Sequence, residues 1–111
     1  MARRQGWIRV QRMLLEREVW SGSTPNVKVI FVYLMLNAAY GESTIRFDGG
    51  CFDLRPGQLV TSLAAISDGT GISIQSVRTA LGWLEEAGEI VQLSCRSGRI
   101  ISITDTRFLG D

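Results

Sequence analysis

The chain has 111 residues, enough to bury one hydrophobic core and short for two. Hydrophobic residues make up 45% and charged residues 21%, a balance that excludes an intrinsically disordered segment. Twelve Lys and Arg oppose eleven Asp and Glu, so the net charge of +1 does not by itself announce a polyanionic partner, and the distribution of charge must decide.

Several chemistries are excluded by missing residues. There is no histidine, which removes Ser-His-Asp and Cys-His catalysis and every imidazole metal site. Cys51 and Cys95 are far apart and form no CxxC pair. Lys28, the only lysine, follows Val27 and so belongs to no phosphate-binding P-loop. Gly69 and Gly71 begin a GxG, but Ile74 stands where a dinucleotide fingerprint requires its third glycine. The expectation is a non-enzymatic protein without cofactor. Unpaired cysteines and the lack of a secretory leader point to the reducing cytoplasm. The most apolar stretch, Val27 to Tyr40, is shorter than the roughly 20 residues of a membrane span, so no membrane is expected.

The first twenty residues are basic: Arg3, Arg4, Arg9, Arg12 and Arg17 face only Glu16 and Glu18. They read as an extended opening (Trp7–Val10) and a short helix from about Gln11 to Val19, anchored by Met13, Leu14 and Trp20. The terminal arginines suit either a phosphate-binding arm or a soluble, disordered end. Thr24-Pro25 is a helix start, a capping hydroxyl followed by proline at the first helical position. That helix should run to about Tyr40, with Gly41 as terminator. Val27, Ile30, Phe31, Leu34 and Ala38 line one face, while Val29, Val32, Tyr33 and Leu36 make much of the other apolar. Such a helix is central to its own core or buried against a partner.

Residues 41–57 read as glycine-rich turns with one short strand near Cys51–Leu54. Arg55-Pro56-Gly57-Gln58 turns the chain into a strand at Leu59–Thr61. Ser62 caps a helix over about Leu63–Asp68, stopped by Gly69-Thr70-Gly71, and Ser73 caps a longer helix, Ile74 to Ala87, which Gly88 ends. Two strands follow, about Glu89–Ser94 and Arg99–Thr104, joined by Arg96-Ser97-Gly98, with Ile90, Val91, Leu93, Ile100, Ile101 and Ile103 as apolar positions. Cys51 and Cys95 read as small core or sheet residues. The predicted fold is α+β and mainly α: one domain over 1–111, a helix-turn-helix at 62–87 with an extra N-terminal helix, and a β-hairpin wing at 89–104.

At 100° per residue, Ile74, Val77, Leu81 and Leu84 form the core stripe of the second helix, with Ala80 and Ala87 at its edge. The opposite side carries Gln75, Thr79, Gly82 and Glu86, flanked by Ser76 and Arg78. Ser73, Gln75, Ser76, Arg78 and Thr79 have the chemistry to read base edges in a major groove, Gln pairing with adenine and Arg with guanine or phosphate. The same residues also suit an ordinary solvent-facing surface. Glu85 and Glu86 repel phosphate and confine any insertion to the first two turns. Arg96 and Arg99, flanking the hairpin turn, are placed to hold phosphates. Trp83 projects to the edge of the exposed face, where it suits either a protein interface or packing on the N-terminal helix or on Trp7 or Trp20.

The run GISIQSVRTALGWLEEAGEI (Gly71–Ile90), together with LRPGQLVTS (Leu54–Ser62) and the opening GWIRVQRMLLEREVW (Gly6–Trp20), resembles the N-terminal winged-helix domain of phage replisome organisers and DnaD-type primosome proteins. The resemblance spans almost the whole chain and is most specific from Pro56 to Ile90. Gly82 and Trp83 stand where the family more usually carries basic residues. It implies replication initiation on double-stranded DNA, with a replicative helicase or its loader as partner. A chain ending soon after the wing would be a stand-alone member or a trimmed domain. Two rivals share these residues. One is an oligomerisation scaffold, a homodimer or larger, burying Trp7, Trp20, Val29 or Tyr33. The other is a winged-helix transcriptional regulator, whose site chemistry would be the same.

Overall fold

The computed structural model describes residues 6–39, 42–95 and 98–105. Four α-helices and two small antiparallel sheets form an α+β fold: α1 (Glu18–Ser21), α2 (Pro25–Asn37), β1 (Ser43–Phe47), β2 (Gly50–Leu54), β3 (Gln58–Thr61), α3 (Leu63–Thr70), α4 (Ile74–Glu86), β4 (Ile90–Cys95) and β5 (Gly98–Ile103). β1 and β2 make a hairpin, and the larger sheet has the order β3-β5-β4. α2 packs on α3 and α4, and the core lies between these helices and the inner face of the larger sheet.

The helix starts form as their capping residues predict. Thr24 Oγ1 accepts from the Val27 N–H at 3.4 Å, Ser62 Oγ from Ala65 at 3.0 Å and Ser73 Oγ from Ser76 at 3.2 Å, each satisfying an otherwise orphaned donor. Gly71 ends α3 in the left-handed region at φ +77°, which a side chain would resist. Val27, Ile30, Phe31 and Leu34 of α2 are buried, as are Val77, Ala80, Leu81 and Leu84 of α4.

Several expectations need correction. The Gln11–Val19 helix is split into a 3-10 turn at Arg12–Glu16 and α1, because Arg17 between them is extended (φ −80°, ψ 151°). Met13 points outward, and Leu14 and Val19 are the buried anchors. α2 stops at Asn37 rather than near Tyr40: Ala38 is extended, and Ala39 pairs with the start of β3, its N–H donating to Gln58 O and its carbonyl accepting from Gly57, both at 2.9 Å. Tyr40 and Gly41 lie outside the described residues.

Residues 43–54 form a full hairpin instead of turns with one strand. Asp48 and Gly49 both have positive φ, +50° and +84°, the backbone that two-residue hairpin turns require. Cys51 sits on this hairpin, exposed, so it is a sheet residue and not a core one.

Ile74 is 46% exposed and leaves the α4 core stripe, and Ala87 is exposed as well. At 100° per residue Ile74 stands roughly 70° from the centre of Val77, Ala80, Leu81 and Leu84, and the first turn of the helix overhangs the core. In the β4–β5 hairpin, Ile90, Ile101 and Ile103 face inward, whereas Val91 and Leu93 alternate to the exposed outer face.

One ionic cluster ties the two ends of the described chain. The Arg17 guanidinium donates to both carboxylate oxygens of Glu89 at 2.7 and 2.8 Å and to Asp105 at 2.8 Å. The Glu89 side chain is only 10% exposed, so its charge is tolerated because Arg17 pairs with it. Hydrogen bonding to Glu89 outweighs desolvation and raises the Arg17 pKa, leaving the cation permanent. Arg17→Ala is therefore expected to destabilise the fold by roughly 2–4 kcal/mol in urea denaturation. A double variant with Glu89→Gln should lose less than the two single losses added together.

Candidate nucleic-acid interface

α4 begins where Gly71 redirects the chain and Ser73 caps the helix. Its first two turns present Gln75, Arg78 and Thr79 to solvent. Arg78 donates to Gln75 Oε1 at 3.3 Å, and the Thr79 hydroxyl donates to the Gln75 carbonyl at 3.2 Å. Gln75 and Arg78 thus form an exposed pair one turn apart, with donors and an acceptor facing outward. Ser73 and Ser76 are engaged otherwise. Their hydroxyls bond each other at 3.1 Å while Ser73 caps the helix, and Ser76 is half-buried.

The exposed Ile74 beside this pair was missed by sequence reasoning. Its offset from the core stripe was the available signal. It adds an apolar contact of the kind a thymine methyl accepts. Gly82, one turn beyond Thr79, would leave an added Cβ in open space, so the surface is low there.

Arg99 lies in a different setting from the one its place at a hairpin turn suggested. It is half-buried, and its guanidinium donates to Gln92 Oε1 at 2.7 Å. Gln92 in turn donates through Nε2 and its backbone N–H to the Glu85 carboxylate, at 3.1 and 3.3 Å. This relay joins β5, β4 and the last turn of α4. Arg99 therefore ties β5 to Gln92 of β4, and Gln92 fastens the hairpin to α4. Arg96, its predicted companion, lies outside the described residues.

The electrostatics are mixed. Along α3 and α4, Arg78 is a single cation against Asp68, Glu85 and Glu86, and the latter two are in the last turn. On these two helices the cation stands in the first half of α4, where the helix dipole adds to Arg78.

The predicted interface residues divide. Trp7 is 75% exposed, and Val29 on α2 is 47% exposed. Trp20 instead packs against the core, with Lys28 Nζ 5.3 Å from its ring centroid. Tyr33 is half-buried over α3, so close to Gly69 that a Cβ there would lie 2.5 Å from the ring. Burial, and secondarily the Asp68 charge, raise the Tyr33 pKa and keep the phenol neutral. Trp83 is half-buried against the core. Among the described residues, no helix is long and apolar enough to cross a membrane.

No protein-family model, curated protein or solved structure matches this chain.

The Arg99 relay generates a direct expectation. Arg99→Ala should lower stability by about 1–2 kcal/mol in urea denaturation, through loss of a charged hydrogen bond. The salt dependence of any DNA binding should stay unchanged, since a phosphate contact would contribute about 0.9 to the slope of log K against log salt.

Proposed function

We propose that the chain is a winged helix-turn-helix protein that binds double-stranded DNA in replication initiation, without enzymatic activity. The observation that carries the DNA reading is the start of α4. There a capped helix, set at a glycine turn and followed by a β-hairpin, presents Gln75, Arg78 and Thr79 outward with Ile74 beside them. These residues would read base edges in the major groove. Ser73 and Ser76 would shape the helix start. Arg96, which follows β4 in sequence, would take a phosphate, while Arg99 keeps the wing in position. The replication role, a replicative helicase or loader as partner and a cytoplasmic location come from the resemblance and the cysteine content. A transcriptional regulator would use the same surface.

Fluorescence anisotropy with a labelled duplex, at low and physiological salt, tests this reading. Arg78→Ala should weaken binding by about 1–3 kcal/mol, or roughly five- to 150-fold. The melting temperature should hardly change, because the Arg78–Gln75 bond is fully solvent-exposed. Unchanged affinity would remove Arg78 from the interface.

A second reading, self-association, is favoured by one feature. Val29 and Leu36 stand two turns apart on the outward side of α2, 47% and 54% exposed. Light scattering should then report a dimer at tens of micromolar that Val29→Glu returns to monomer. A wild-type monomer at that concentration would end this reading.

A further inference from the structure

The first two turns of α4 carry a more particular pattern than a polar face with one cation. At 100° per residue Ile74, Arg78, Gln75 and Thr79 follow one another around roughly 140° of the helix surface. All four are exposed, Ile74 by 46%. Two internal hydrogen bonds limit what they offer. Gln75 Oε1 accepts from the Arg78 guanidinium at 3.3 Å, and the Thr79 hydroxyl donates to the Gln75 carbonyl at 3.2 Å. Arg78 commits a single N–H donor to Gln75 and has no ion pair among the described residues. What remains is a set of N–H donors, from Arg78 and the Gln75 amide nitrogen, beside the apolar surface of Ile74. The first carboxylate along α4, Glu85, stands about two turns beyond Arg78 and is bonded to Gln92.

We infer that α4 reads a guanine and a thymine within two base pairs of each other. Arg78 donates to guanine O6 and N7, and Ile74 covers the thymine methyl. This base preference rests on the duplex reading above. In the major groove guanine offers two acceptors, and thymine an acceptor and a methyl. Cytosine and adenine present amino donors, which a donor-rich face cannot pair. Gln75 lacks the free donor–acceptor edge that adenine requires, because its amide oxygen is turned to Arg78; it positions the guanidinium instead. An apolar side chain gains nothing from phosphate, whereas contact with a thymine methyl removes it from water. Ile74 and Arg78 lie about 6 Å apart along the helix axis. That distance spans one or two steps between base pairs stacked about 3.4 Å apart.

The test uses the full chain and selection from a random duplex library at low salt, followed by anisotropy titrations on an enriched duplex. Enriched sequences are expected to share a guanine with a thymine no more than two base pairs away. Replacing that thymine by deoxyuracil removes only the methyl and should weaken binding about three- to fivefold. Ile74→Ala should weaken binding to a similar degree and lose the distinction between thymine and uracil. Replacing the guanine by 7-deazaguanine should weaken binding roughly tenfold, an effect that Arg78→Ala erases and Gln75→Ala reduces. Gln75→Ala should leave the uracil effect in place. All three positions are exposed, and circular dichroism should confirm the fold of each variant. No duplex binding at low salt, or binding indifferent to Arg78→Ala, would remove the α4 reading and this preference together. Binding that needs Arg78 yet selects no such pair of bases, or is indifferent to the thymine methyl, would overturn the preference alone.

Discussion

The arrangement depends on a charge that cannot stand alone. Glu89 is buried at the point where α4 gives way to β4, and its carboxylate would be costly there without a partner. Arg17 supplies two hydrogen bonds to it and a third to Asp105, just past the end of β5. One guanidinium therefore joins the N-terminal strap, the start of the wing and its end. Its extended backbone is what divides the N-terminal helix in two. The same base is fastened by backbone bonds: Thr104 donates to Glu89 O at 3.0 Å, Ile103 to Gly57 O at 2.9 Å, and Gly57 to Ala39 O at 2.9 Å. Local helix continuity was given up for a long-range ionic contact, which fits the high cost of an unpaired buried charge.

What could be read in advance was what depends on neighbours in sequence. Thr24-Pro25, Ser62 and Ser73 announce helix starts because each hydroxyl serves an N–H three residues on. Gly71 marks a left-handed turn for the same local reason. The β1–β2 hairpin was legible in principle from Asp48-Gly49, with Ile45, Phe47, Phe52 and Leu54 on one face and Thr44, Arg46, Cys51 and Asp53 on the other. The surrounding glycines and short strands diluted that alternation. Arg17 was not legible. Its partners lie 72 and 88 positions away, and nothing near it in sequence separates it from Arg9 or Arg12. The site was legible in part: residue types identified Gln75, Arg78 and Thr79, but only geometry separates them from the mutually bonded Ser73 and Ser76.

The β4–β5 hairpin is held from three sides, and this bears on what α4 can do. Its base carries the Arg17 cluster. Its inner face carries the Arg99–Gln92–Glu85 relay to the last turn of α4. Near the turn, a Cβ on Gly98 would run into the Thr61 carbonyl and lie 3.2 Å from Phe47 Cε2, so glycine lets β3 and the first hairpin close against it. Two of these restraints employ residues that composition alone would assign to solvent or to phosphate. Glu85 is the instructive one. As a carboxylate it repels a polyanion, yet it orients Gln92 and through it Arg99. A substitution that removed the repulsion would also loosen the β4–β5 hairpin, because Glu85 is what joins α4 and that hairpin into one unit. Binding by such a unit would depend on the shape of its first two turns rather than on charge density, and its affinity would be correspondingly modest.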